Sequence, residues 1–175
     1  VCYLRRFQFP NKKGSEMACS GVRRVCGVFA IAFITISSAF NAQAGQLPAD
    51  LQKSLTSFSI TSAAIDGGAL KINVKRPVVT RHIYSSIVSM GVCLPLWNNA
   101  RTGWGAASIT SIEVRNEIGA QGFAFRGGRK ECDGLGKISG GDSAMKQYID
   151  ARTWVCVAGN ECRPRRPGEL TAGDE

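Results

Sequence analysis

Between Leu70 and Lys75 apolar and polar side chains alternate strictly, Leu70, Ile72 and Val74 against Lys71, Asn73 and Lys75. A period of two is that of a β-strand with one buried and one wet face. Upstream, Phe58, Ile60 and Ala64 predict a partner strand over 58–65. Asp66, Gly67 and Gly68 between the two supply a tight turn, so the pair reads as a hairpin. Residues 48–55 suit one or two helical turns, with Pro48 tolerated at the start. After Pro77 the period lengthens: Val79, Ile83, Ile87 and Met90 recur at spacings of four, four and three, which puts them on one face of a helix. Thr80 is its expected N-cap and Gly91 its expected stop, and Cys93 follows directly.

A second hairpin is expected further on. From Ile109 the chain turns strand-like, with Ile112 and Val114 on one face, and it returns through Phe123 and Phe125 after the turn-rich stretch 116–120. Gly127 and Gly128 end that strand, a short helical turn holds Cys132, and Asp142 or Ser143 is placed to cap a helix carrying Met145 and Ile149. Thr153, Trp154, Val155, Cys156 and Val157 form an apolar run that reads as a buried strand. Strands and helices in this order, without a repeating βαβ unit, predict an α+β domain. Its antiparallel sheet comes from two hairpins plus a C-terminal strand, with two or three helices packed on it. Residues 163–175 have no apolar period and read as a flexible tail.

The segment 25–40 lacks any charged residue, follows Arg23 and Arg24 and precedes Ala42, Gln43 and Ala44. A charged start, an apolar stretch and small residues flanking a cut site are the parts of a secretory leader, so 17–44 is assigned as a signal peptide. Sixteen residues reach only about 24 Å as a helix, short of a bilayer's hydrocarbon. Residues 1–16 precede the first methionine and read as a non-native or mis-called extension. The globular domain is then 45–162.

Removing the leader changes both charge and cysteine counts. The whole chain has a formal charge of +9, but the part from Gly45 has 16 basic and 12 acidic residues, an ordinary excess that does not indicate nucleic-acid binding. Of seven cysteines, Cys93, Cys132, Cys156 and Cys162 remain, and an even set in an oxidising compartment reads as two disulfides. Three pairings are open; Cys93 with Cys132 and Cys156 with Cys162 is favoured, because Gly159 and Asn160 supply a turn inside the shorter loop. With no C-x-x-C pair to join His82, no metal site is expected, nor is any cofactor.

Catalytic patterns are weak. Ser143 and Lys146 match S-x-x-K without the companion motifs of penicillin-recognising enzymes. The run 134–139 lacks the third glycine of a dinucleotide loop and reads as a connector. His82, the single histidine, falls in the first turn of a helix with no local nucleophile, and Glu113 and Glu117 look like solvated strand and turn charges rather than a glycosidase pair. Binding is better represented. Trp97, Asn98, Asn99, Arg101 and Trp104 lie on a Pro-, Asn- and Gly-rich loop, and indole and guanidinium groups are the usual anchors of recognition surfaces. Folding the two indoles back onto the core is the competing placement. Arg126 and Arg129, with Lys130, form a second, basic candidate patch.

Three functions fit these features. The first is an exported, periplasmic, non-catalytic protein that binds another protein, such as an inhibitor, an immunity-type factor or an envelope-assembly component. The second is a binder of anionic polymer, nucleic acid or lipopolysaccharide, through the arginines and the tail. The third is a small secreted hydrolase whose site assembles in space. The first is preferred, with nucleic acid disfavoured as partner and no transmembrane segment expected after leader cleavage.

Overall fold

The computed structural model describes residues 46–158 and 161–174. The leader, the extension before it, and the turn expected at Gly159 and Asn160 lie outside the described residues. Five strands form one sheet in sequence order: β1 (Ile60–Asp66), β2 (Ala69–Val74), β3 (Ser111–Arg115), β4 (Gln121–Phe125) and β5 (Thr153–Val157). Helical elements α1 (Ala49–Leu55), α2 (Arg81–Ser86), α3 (Leu94–Asn98), α4 (Arg129–Leu135) and α5 (Gly141–Asp150) accompany it. The domain is α+β, as its pattern predicts.

Both hairpins form, and β5 adds antiparallel to β4. The join between the hairpins is parallel, Leu70 opposite Ile112 and Ile72 opposite Val114, so the sheet is mixed. A parallel pair needs a long crossover, which the helical stretch between β2 and β3 supplies. Register places Leu70, Ile72, Ile112, Val114, Phe123, Phe125 and Val155 in the core with Leu51 and Leu55 of α1 and with Tyr84, Ile87, Val88 and Val92. The other face carries Lys71, Asn73, Glu113 and Arg115, which line a shallow polar depression.

Thr80 caps α2 as expected, its hydroxyl accepting from Ile83 N. Gly91 does not stop the helix. Ile87–Cys93 continues as a π-helix, and α3 follows without a break. A π turn holds more residues than an α turn and so rotates the buried face. Val88, Val92 and Cys93 are therefore buried, whereas Met90, placed on the core face by its spacing, is 51% exposed. Gly91 serves close packing instead: a Cβ there would lie 3.1 Å from Leu55 Cδ2 and from Phe58 Cε2. The helix α5 starts at Gly141 with Gly140 as its N-cap and no side-chain cap; Asp142, an expected cap, pairs with Lys146 at 2.6 Å one turn on.

Both expected disulfides are present, Cys93–Cys132 and Cys156–Cys162. The tail is a docked strap, correcting the expectation of free chain. Arg163 bridges antiparallel to Val155, with bonds of 2.8 and 2.9 Å, at the outer edge of β5. Its guanidinium pairs with Glu169, Arg165 pairs with Asp174, and Asp174 also accepts from Arg81 at 3.2 Å. Backbone closes the strap: Gln121 Nε2 donates to Ala172 O at 2.6 Å and Arg81 N to Gly173 O at 2.9 Å. The internal ion pairs shape the strap and these bonds dock it, and neither is visible to apolar periodicity.

Candidate functional site

The loop after α3 is pinned by contacts its own sequence supplies. Asn99 Oδ1 accepts from the backbone N–H groups of Arg101 at 3.2 Å and Thr102 at 3.4 Å, a local turn of the kind asparagine favours. Thr102 Oγ1 donates to Asp50 of α1 at 2.9 Å. At Gly103 a Cβ would sit 2.4 Å from Pro95 O, so only glycine fits the close return of the chain. Asn98, Asn99 and Arg101 remain exposed.

The two tryptophans do not share that exposure. Trp104 is fully buried, its Nε1 donating to Val92 O at 2.8 Å. It belongs to the core and offers a partner no surface. Trp97 is half-buried and donates to Cys132 O at 2.9 Å. Each indole thus has its polar atom satisfied inside the helical layer, the arrangement buried tryptophans require.

The two candidate patches meet. Arg129, at the start of α4, reaches back across the loop: its Nη1 donates to Ala100 O at 2.7 Å and its guanidinium lies 5.6 Å from the Trp104 ring centroid. A shallow concavity of about 450 Å³ beside it is lined by Thr110, Arg126, Gly127, Gly128 and Lys130 among others. Arg126 stacks on Trp154 at 4.4 Å, which leaves the guanidinium edge at the exposed surface. The one carboxylate lining this concavity, Glu131, accepts from Gly128 N at 2.8 Å, and that bond holds its carboxyl below the usual carboxylate range. Arg101, Arg126 and Lys130 form no ion pair among the described residues. The result is an electropositive surface at the end of the sheet where β4 finishes.

The remaining candidates disperse. Ser143 is exposed while Lys146 is paired with Asp142. Gly134 lies within α4, and not in a connector, against the Tyr148 hydroxyl. Glu113 is tied to Arg115 at 3.1 Å on the open sheet face, and Glu117 sits exposed in the β3–β4 turn. Tyr84, missed as a polar core residue, has its hydroxyl 2.9 Å from Thr153 Oγ1, and burial pushes its phenol well above the ordinary range. Among the described residues no cluster of histidine, cysteine or carboxylate groups is placed to hold a metal, and no helix is long and apolar enough to cross a membrane. Comparison with protein-family models, curated proteins and solved structures gives no match.

Proposed function

We propose that this is an exported, periplasmic, non-catalytic binding protein that docks an acidic surface of another protein onto the face formed by Asn98, Asn99, Arg101, Arg126 and Arg129. The observation that carries the reading is the bond from Arg129 to Ala100 O, which ties the loop to Arg129, and Arg129 in turn lines one concavity with Arg126 and Lys130. A preordered surface loses little conformational entropy on association, and arginine edges supply fixed donors for carboxylates. The two disulfides favour an oxidising compartment and so favour export.

Binding of nucleic acid or lipopolysaccharide is the second reading, and the exposed Arg101, Arg126 and Lys130 favour it in part. The strap argues the other way, because Arg163 and Arg165 are neutralised by Glu169 and Asp174 instead of being offered to a polymer. Photo-crosslinking in the native envelope tests the choice. A crosslinker at Asn99 should trap one defined protein species, lost in Arg101→Glu/Arg126→Glu, while a crosslinker at exposed Ile118 in the β3–β4 turn should not trap it. Equal trapping from both positions, or nuclease-sensitive or lipopolysaccharide adducts at Asn99, would overturn the proposal.

A further inference from the structure

A separate groove opens at the other end of the strands, where β2 finishes beside α2. Ser57, Phe58 and Ser59 form one wall, Val74 and Arg76 the second, and His82, Ile83, Ser86 and Ile87 the third. Its volume is about 310 Å³, at the lower end of small-molecule sites. Four side chains, Phe58, Val74, Ile83 and Ile87, make an apolar floor. Around them stand three hydroxyls, one imidazole and one guanidinium, and no carboxylate lines the groove.

Two features of the surrounding backbone bear on this place. The change from α to π winding begins at Ile87, in the third wall, and π segments recur at functional sites because they trade regular bonding for a particular side-chain placement. The first strand is also irregular here, with a register shift between Ile60 and Ser62. Arg76 forms no ion pair among the described residues, although Glu117 donates its backbone N–H to Arg76 O at 3.1 Å. An unneutralised cation above an apolar floor is complementary to a molecule with a negative head and a hydrocarbon body.

We infer that this groove is a binding site for a medium-chain aliphatic monocarboxylate. The carboxylate pairs with Arg76 and accepts from the serine hydroxyls and the His82 ring, and the chain lies on Phe58, Val74, Ile83 and Ile87. Arginine suits this task because its fork can donate two parallel bonds to one carboxylate. The site is distinct from the proposed protein-binding face, and neither depends on the other.

The test is an amide-resolved NMR titration of the intact protein with hexanoate, octanoate and octanol at low and moderate salt. Octanoate should saturate with shifts centred on Arg76, His82, Ile83 and Ser86. It should bind on the order of tenfold tighter than hexanoate, since each buried methylene is worth about fourfold. Arg76→Gln, a change at an exposed side chain that leaves the core intact, should weaken octanoate about tenfold and leave octanol unchanged. Octanol binding as well as octanoate, an unaltered octanoate affinity in Arg76→Gln, or shifts centred outside the groove would each overturn the assignment.

Discussion

Cys93–Cys132 joins the end of the π segment to α4 across 39 residues, with both cysteines fully buried, whereas Cys156–Cys162 closes six residues at the outer edge of the sheet, with Cys162 only half-buried. The first bond sits where the π segment, continuous with α2 and α3, packs against α1 and α4. The second sits where β5 hands over to the strap. Comparing them separates two ways of ordering a small domain. One fastens a layer that hydrophobic burial already holds; the other sets the starting point of a segment held chiefly by ion pairs and backbone bonds.

Replacing both cysteines of the buried bond, Cys93→Ala with Cys132→Ala, should have the largest effect. The chain-entropy model gives about 4 kcal/mol for a loop of that length, read as a lower denaturant midpoint. The same treatment of Cys156 and Cys162 should cost about 2 kcal/mol. Here the telling readout is local: hydrogen exchange at Arg163 N should speed up more than at core amides such as Val114. A global loss as great as the first would erase the distinction between layer and strap. Smaller again, Thr80→Ala removes the cap at the far end of the helix that Cys93 tethers, and should cost about 1 kcal/mol in thermal or denaturant unfolding.

The finest discrimination comes from pH. Hydrogen bonds from Arg163 and from the Arg166 backbone N–H hold the Glu169 carboxyl at about 2, below its ordinary 4.5. Burial pushes Asp174 up, but hydrogen bonds from Arg165, Thr171 and Arg81 outweigh it and leave that carboxyl well below the ordinary range. A depressed carboxyl contributes stability that is fully present above its unfolded value and is lost as pH falls through the folded one. The strap should therefore loosen as pH drops from about 4.5 towards 2, before the helical layer does. Exchange at Arg163 N followed across that window should show it, and Glu169→Gln should flatten the response.

Much of this architecture is legible in the chain. The alternation of Leu70, Ile72 and Val74 marks a strand with one buried face, Thr80 marks a helix start, and four cysteines left after the leader mark two disulfides, with three pairings open. What escapes is non-local. Nothing in the apolar pattern distinguishes a parallel from an antiparallel partner for β2, because either register buries Ile72 beside Val114. Met90 is misplaced because a period of 3.6 is assumed where the winding is wider. The strap is misread because its ordering comes from Arg163, Arg165, Glu169 and Asp174, residues that in composition alone look like solvated chain. At the candidate face the sequence names Arg101 and Arg129 separately, and only the fold brings the second onto the first one's loop.

The π segment also makes helix length and helix phase separate variables. Each residue of an α-helix advances the side-chain direction by about 100°, so deleting one residue between Ile87 and Cys93 and letting the stretch rewind would turn everything downstream by that angle. Cys93 would swing off the line to Cys132, and Trp97 off the line to the Cys132 carbonyl it donates to. The surplus residue acts as a phase setter: it aligns two consecutive stretches of one rod with two different neighbours. Chains that share this fold should vary at its outward position, Met90, far more readily than in the number of residues in the segment.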